Sequence, residues 1–151
     1  MDIRVAPVLD EEIPLLLDLQ KKSFDAHSSL FDTSVWSRET PDALRAELGE
    51  TTVLVARDPA GRIHGSVRGR DVEGVWVVRK LFVDPSAQKT GVGKALMRAI
   101  EERRPPSCHK ISLCTMLVLG ENVRFFLALG YQPEYLMPDH YNRLHLLCFR
   151  K

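Results

Sequence analysis

Val77-Val-Arg-Lys-Leu-Phe-Val-Asp-Pro-Ser-Ala-Gln-Lys-Thr-Gly-Val-Gly-Lys-Ala-Leu-Met-Arg-Ala-Ile100 is the stretch whose reading decides the fold. Its opening, with the two residues before it, is dense in β-branched and aromatic side chains from Val75 to Val83, which reads as a largely buried strand. Asp84-Pro85 ends that strand, because proline has no N–H for a ladder and fixes its own φ. From Val92 the apolar residues recur as Val92, Leu96, Ala99 and Ile100, the stripe of a helix. The segment is therefore strand, short polar loop, helix, and the loop is Gln88-Lys89-Thr90-Gly91-Val92-Gly93.

The chemistry of that loop limits its uses. Without a Cβ, Gly91 and Gly93 let the backbone come close to a ligand. The first N–H groups of the helix lack intrahelical partners, and the macrodipole makes that end positive. A phosphate or pyrophosphate suits it, with Lys89 and Lys94 adding charge. An ordinary strand-to-helix turn with two glycines is the other reading of these six residues alone. Two familiar phosphate loops are excluded. A Walker A loop requires Gly and Ser or Thr where the chain has Gln88 and Ala95, and the dinucleotide fingerprint requires a glycine where Leu96 stands.

The stretch resembles the GNAT superfamily of N-acetyltransferases. Gln88 to Gly93 matches its Gln/Arg-x-x-Gly-x-Gly/Ala signature, and the strand before it ends as expected in Leu81-Phe82-Val83-Asp84-Pro85. Downstream, Phe125-Phe126-Leu127-Ala128-Leu129-Gly130-Tyr131 is similar to the family's second motif, a helix closing on Gly and an aromatic residue. The resemblance implies a mixed α/β fold with a central twisted sheet flanked by helices, and one domain over residues 1–151.

Composition agrees with an ordinary globular domain. The chain has 151 residues, 44% hydrophobic and 27% charged, enough to bury a core. A formal net charge of +1 supplies no global field to recruit nucleic acid or an anionic membrane. No signal-like segment or membrane-length apolar run is present. Cys108, Cys114 and Cys148 have no metal-type spacing, so no metal is expected; three thiols in a reducing cytoplasm are the simplest reading.

Outside the deciding stretch, Ile3 to Val8 reads as a strand and Ile13 to Gln20 as a helix. Phe24 to Ser37 has no clean period and reads as a long loop with helical turns. Thr40-Pro41 starts a helix that ends at Gly49. Thr51 to Ala56 and Ile63 to Val67 pair across Asp58-Pro59-Ala60-Gly61 and continue into the Val75 strand as an antiparallel meander. Lys110 to Thr115 is a strand and Glu121 to Leu129 a helix. Gln132 to Met137 and Leu144 to Phe149 are a final pair joined through Pro138 to Asn142.

What the resemblance implies about chemistry is specific. The co-substrate is acetyl-CoA, its pyrophosphate on the amides of Gln88, Lys89, Thr90, Gly91, Val92 and Gly93. Its pantetheine arm pairs with Leu81, Phe82 and Val83 where the sheet splays, and the Leu81 amide polarises the thioester carbonyl. Attack by an amine puts negative charge on that oxygen, which a fixed N–H stabilises.

The sequence also departs from the family. The tyrosine that often protonates the departing thiolate is replaced by Phe126, which keeps an expected place in the cofactor site, beside Phe125, and the asparagine often opening that helix aligns with Leu119, leaving Asn122 out of register. His140 is the candidate acid or base, because it follows Asp139 and imidazole titrates near neutral pH. Tyr135 and Tyr141 are alternatives, as is Tyr131, which reads better as a core residue. His27, in the long loop that the resemblance places over the acceptor, reads as a surface residue, and His64 and His145 read as structural. The strand offers no glutamate base, and Glu73 precedes it in a turn. Arg79 and Lys80 would repel a polyamine and suit an acceptor bearing carboxylate or phosphate.

The expectation is transfer of an acetyl group to the primary amine of a small, anionic acceptor by direct attack, since no cysteine suggests a covalent carrier. Neither nucleic acid nor membrane is an expected partner, and a homodimer is compatible. A non-catalytic acyl-CoA sensor is the alternative, motivated by Phe125 and Phe126. A longer acyl group is a third reading.

Overall fold

A computed structural model describes residues 2–30, 38–141 and 143–151, with the main chain alone for His140 and Tyr141. Seven strands form one sheet: β1 (Arg4–Pro7), β2 (Thr52–Arg57), β3 (Ile63–Val72), β4 (Val75–Val83), β5 (Lys110–Met116), β6 (Gln132–Tyr141) and β7 (Leu144–Arg150). Their spatial order is β1-β2-β3-β4-β5-β7-β6. Every neighbouring pair is antiparallel except β4 and β5, which are parallel. Among the described residues four α-helices accompany them: α1 (Ile13–Asp25), α2 (Pro41–Glu47), α3 (Val92–Glu102) and α4 (Gly120–Ala128).

Strand alternation divides the core in two. On β2, Leu54 and Ala56 face the cluster built around Leu96, Met97 and Ile100 of α3, with Trp76, Val78, Leu113, Phe126 and Phe149. Val53 and Val55 face the opposite cluster with Ile13 and Leu16 of α1 and Leu44 of α2. The stripe foreseen on α3 buries Val92, Leu96, Met97 and Ile100, while Ala99 packs at its margin. Trp76 adds a directional tie, donating its indole N–H to the Ile100 carbonyl at 2.9 Å. Thr40 caps α2 as its sequence suggests, accepting from the Ala43 amide at 3.2 Å.

Three expectations change. The last hairpin is longer than the apolar pattern indicates, because β6 continues through Pro138 to Tyr141. It is the outermost strand, where a missing N–H is tolerated, and its register shifts near Pro133 and beyond Met137. The region from Phe24 opens as helix, since α1 runs on to Asp25; residues 31–37 of the expected loop lie outside those described. Finally, two of the three cysteines are not thiols: Cys114 and Cys148 are joined as a disulfide, while Cys108 is free and buried. Their strands are remote in sequence but paired in register, Cys114 opposite Cys148, a juxtaposition that spacing alone does not reveal.

Candidate active site

The site arises where the sheet comes apart. β4 and β5 pair only from Val75–Lys110 to Val77–Ser112. Beyond that, β4 stays with β3 as far as Val83 and β5 stays with β7 as far as Met116. Between them opens a cleft of about 750 Å³. Val78 to Val83 form one wall, Leu113 to Met116 the other; α4 contributes Asn122, Phe125 and Phe126, the loop before α3 contributes Gln88, Lys89 and Gly91, and the first turn of α3 contributes Gly93.

A bulge shapes the β4 wall. Ser66 pairs with Phe82 and Arg68 with Arg79, so Lys80 and Leu81 together oppose Val67. Lys80 takes φ +53°, unusual for a side-chain-bearing residue. A bulge interrupts the ladder and frees main-chain groups from regular pairing, a device common beside active sites. Gly65 of β3 is needed just past it: a Cβ there would lie 2.6 Å from the Phe82 carbonyl oxygen and 3.0 Å from Leu96 Cδ1.

At the mouth, Asp84 ends β4 and turns the chain. Its Oδ1 accepts from the Ser86 amide and hydroxyl, both at 3.0 Å. Burial pushes the Asp84 carboxyl up, but the two Ser86 hydrogen bonds and the charges of Lys22 and Arg62 outweigh it, leaving it below the usual range. Gly91 (φ +91°) then opens α3, and no side chain caps that end. The first bond of the helix runs from the Ala95 amide to the Gly91 carbonyl, so the amides of Val92, Gly93 and Lys94 precede the ladder.

The predicted cofactor residues separate by what their side chains do. Leu81, Phe82, Val83, Gln88, Lys89, Gly91, Gly93 and Phe126 line the cleft. Thr90 does not: its hydroxyl donates to the Ala87 carbonyl. Val92 is buried in the core at 1% exposure. His140 shares the loop end of β6, but its side chain lies outside the described residues. Tyr131 is buried with its hydroxyl 3.1 Å from Glu101, and burial, reinforced by that carboxylate, raises its pKa far above the ordinary phenol value. Tyr135 is exposed on β6. His27 lines the cleft. His64 of β3 sits 2.8 Å from Asp58 and His145 of β7 accepts from the Asp139 amide; both lie within strands. Asn122 reaches the cleft despite its register, its amide 3.4 Å from the Thr115 hydroxyl.

Arg79 and Lys80 are not bare charges. Arg79 pairs with Glu47, and Lys80 Nζ lies 3.2 Å from Glu39. Behind them Arg68, 1% exposed, donates to Glu39 at 2.7 Å through both terminal nitrogens, to Glu47 at 3.0 Å and to Gln20 at 3.1 Å. Gln20 closes the set by donating to Glu39 at 2.9 Å. Burial pushes the Glu39 carboxyl up, but Arg68, Gln20 and Lys80 outweigh it and bring it down to about 2. Burial lowers Lys80, Arg68 adding to the effect and Glu39 opposing it. Three cations thus meet two carboxylates. Around the whole cleft, Glu121 is the one carboxylate among the described lining residues, against Arg79, Lys80, Lys89, Lys94 and Arg124.

Sequence reading missed Cys114, Thr115 and the Arg68 network. Period-two alternation along β5 could have assigned Thr115 to the Leu113 face and Cys114 to the other. Nothing local marks Arg68 as buried.

A mixed sheet parted between two parallel neighbours, with a glycine-led helix at the opening, defines the GNAT-type acyl-CoA N-acyltransferase fold. Comparison with known proteins agrees. A family model described as an acetyltransferase (GNAT) domain matches residues 49–133, and the chain belongs to that family. No curated protein sequence matches. Among solved structures, it is similar to the PaiA N-acetyltransferase of Thermoplasma acidophilum in complex with coenzyme A, at TM-score 0.80 and 14% identity over 98% of each chain. It is also similar to spermidine N-acetyltransferase of Vibrio cholerae in complex with CoA and spermine, at TM-score 0.79 and 12% identity over 99% of this chain and 94% of that one. The ribosomal-protein-S18-alanine N-acetyltransferase of Escherichia coli follows at 0.76 and 12%, over 99% and 92%. At such identities the likeness concerns the fold. Among the described residues, no helix is long and apolar enough to cross a membrane.

Proposed function

We propose that this acetyltransferase moves an acetyl group from acetyl-CoA to a primary amine of a small acceptor, by direct attack within a ternary complex. The observation that carries the reading is the uncapped N-terminus of α3, which opens through Gly91 onto the mouth of the parted sheet. The diphosphate would take the free amides of Gly91 to Lys94, with Gln88, Lys89 and Thr90 contributing through the main chain. The pantetheine arm would lie against Leu81 to Val83. There the bulge supports a role for the Leu81 amide, which would donate to the thioester oxygen as charge builds on it.

The acceptor amine must lose a proton before it attacks. Glu121, the lining carboxylate, belongs to α4 at the CoA side, so water is the proposed proton acceptor. Phe126 carries no hydroxyl for the departing thiolate. That thiolate leaves readily near neutral pH, and His140 is the proposed assisting group. The excess of cations among Arg68, Arg79 and Lys80 favours an acceptor carrying a carboxylate or phosphate besides its amine. The test is thiol release from acetyl-CoA with a panel of amino acids, phosphorylated amines and polyamines. Turnover with anionic amines is expected. Tight CoA binding without thiol release on any amine would instead favour a non-catalytic acyl-CoA sensor, the reading that Phe125 and Phe126 support.

A further inference from the structure

The cross-strand disulfide stands in the cleft, and no step above uses it. Ile111 and Lys151 exchange both main-chain hydrogen bonds, so by alternation Cys114 and Cys148 occupy a non-hydrogen-bonded pair, where facing side chains are nearest; their Cα atoms are 4.0 Å apart. The two sulfurs differ in access. Cys114 is exposed and lines the cleft, whereas Cys148 is 0% exposed. Position matters as much. β5 lies between β4 and β7, so Cys114 on β5 stands between Cys148 on β7 and the gap that separates β5 from β4. A nucleophile in that gap meets Cys114, on the cleft lining, before the buried Cys148.

We propose that Cys114 is a site of thiol–disulfide exchange with coenzyme A. The inference rests on the reading above, in which CoA occupies the gap and leaves it as a free thiol. The CoA thiolate attacks Cys114 Sγ and a CoA–Cys114 disulfide forms. The Cys114–Cys148 bond breaks and its electron pair leaves on the Cys148 thiolate, which takes up a proton. Two sulfurs exchange partners, so no oxidant or reductant is consumed. Attack on Cys148 is closed by its burial. Return attack by Cys148 on the mixed disulfide expels CoA, so the modification is reversible. While it lasts, the thiol arm is tethered in the cleft and acetyl-CoA cannot enter.

The experiment incubates the oxidised protein with CoA, without other thiols, and reads intact mass and peptide maps. A single CoA adduct on Cys114 is expected, removed by dithiothreitol and absent from Cys114→Ser. Glutathione at the same concentration is expected to give at least tenfold less adduct, because it lacks the diphosphate handle. Calorimetry with desulfo-CoA, which has no thiol, reads occupancy separately. If desulfo-CoA binds but CoA leaves no adduct, the exchange proposal falls and the acetyltransfer reading stands. If desulfo-CoA does not bind, both fall. An adduct on Cys148 or Cys108, or equal labelling by glutathione, also overturns the proposal.

Discussion

Gly91 and Gly93 stand two residues apart at the start of α3 and have different physical jobs. A Cβ on Gly91 would meet nothing within 4 Å, yet the residue holds φ +91°. Gly91→Ala therefore strains the backbone, costing about 1–3 kcal/mol, and should lower both the melting temperature and CoA affinity. At Gly93 an added Cβ would touch the Phe125 ring at 3.4 Å and Val83 at 3.5 Å, ordinary contacts. Gly93→Ala should fold with little loss of stability, and any weakening of CoA binding should be modest; calorimetry and thermal melts on both variants check the contrast. Lys80 offers a test of specificity at the same scale. Lys80→Glu sets a second carboxylate beside Glu39, so it should reduce kcat/KM for an anionic acceptor and raise it for a cationic one. An unchanged preference would remove the argument from charge.

Among elements, the Arg68 network stitches α1, α2, the segment before α2, and the bulged strand together. Removing its centre leaves the half-buried Glu39 and Glu47 without their main partner, a loss of up to about 3–5 kcal/mol. Arg68→Met should lower stability accordingly in urea titrations at neutral pH. The pH dependence has a definite sign. Glu39 is held down at about 2 against an ordinary 4.5, so its contribution is complete above the ordinary value and disappears as pH falls through the lower one. The stability gap between wild type and Arg68→Met should narrow on acidification across that window. On α3, Leu96 is fully buried at the centre of the larger cluster, and Leu96→Ala should cost about 2–5 kcal/mol.

These elements also mark how far the sequence could be read. The β4–loop–α3 unit was legible because its information is local: β-branched residues, Asp84-Pro85, two glycines and a helical stripe lie within thirty residues. The β2–β3 and β3–β4 hairpins were legible from their turns. What escaped depends on side chains brought together across the fold. Arg68 meets Glu39 and Glu47 across 29 and 21 positions of sequence, and Cys114 meets Cys148 across 34. Periodicity carries no such information. For the same reason Arg79 and Lys80 read as free charges until their glutamates were in place.

At the scale of the whole molecule, the sheet is two sheets held by a short parallel seam. β1 to β4 form one half and β5 to β7 the other, and the seam has only three paired positions. Beyond it each half presents an edge to the gap, which a bound cofactor arm would occupy as though it were another strand. The small molecule then serves as mortar as well as reagent. Saturating CoA should raise the melting temperature, and hydrogen exchange should slow most along Val78–Val83 and Leu113–Met116, the two lips of the seam. Empty and loaded chains would thus differ more in cohesion than in shape, and the cell's supply of CoA would set how long each copy endures.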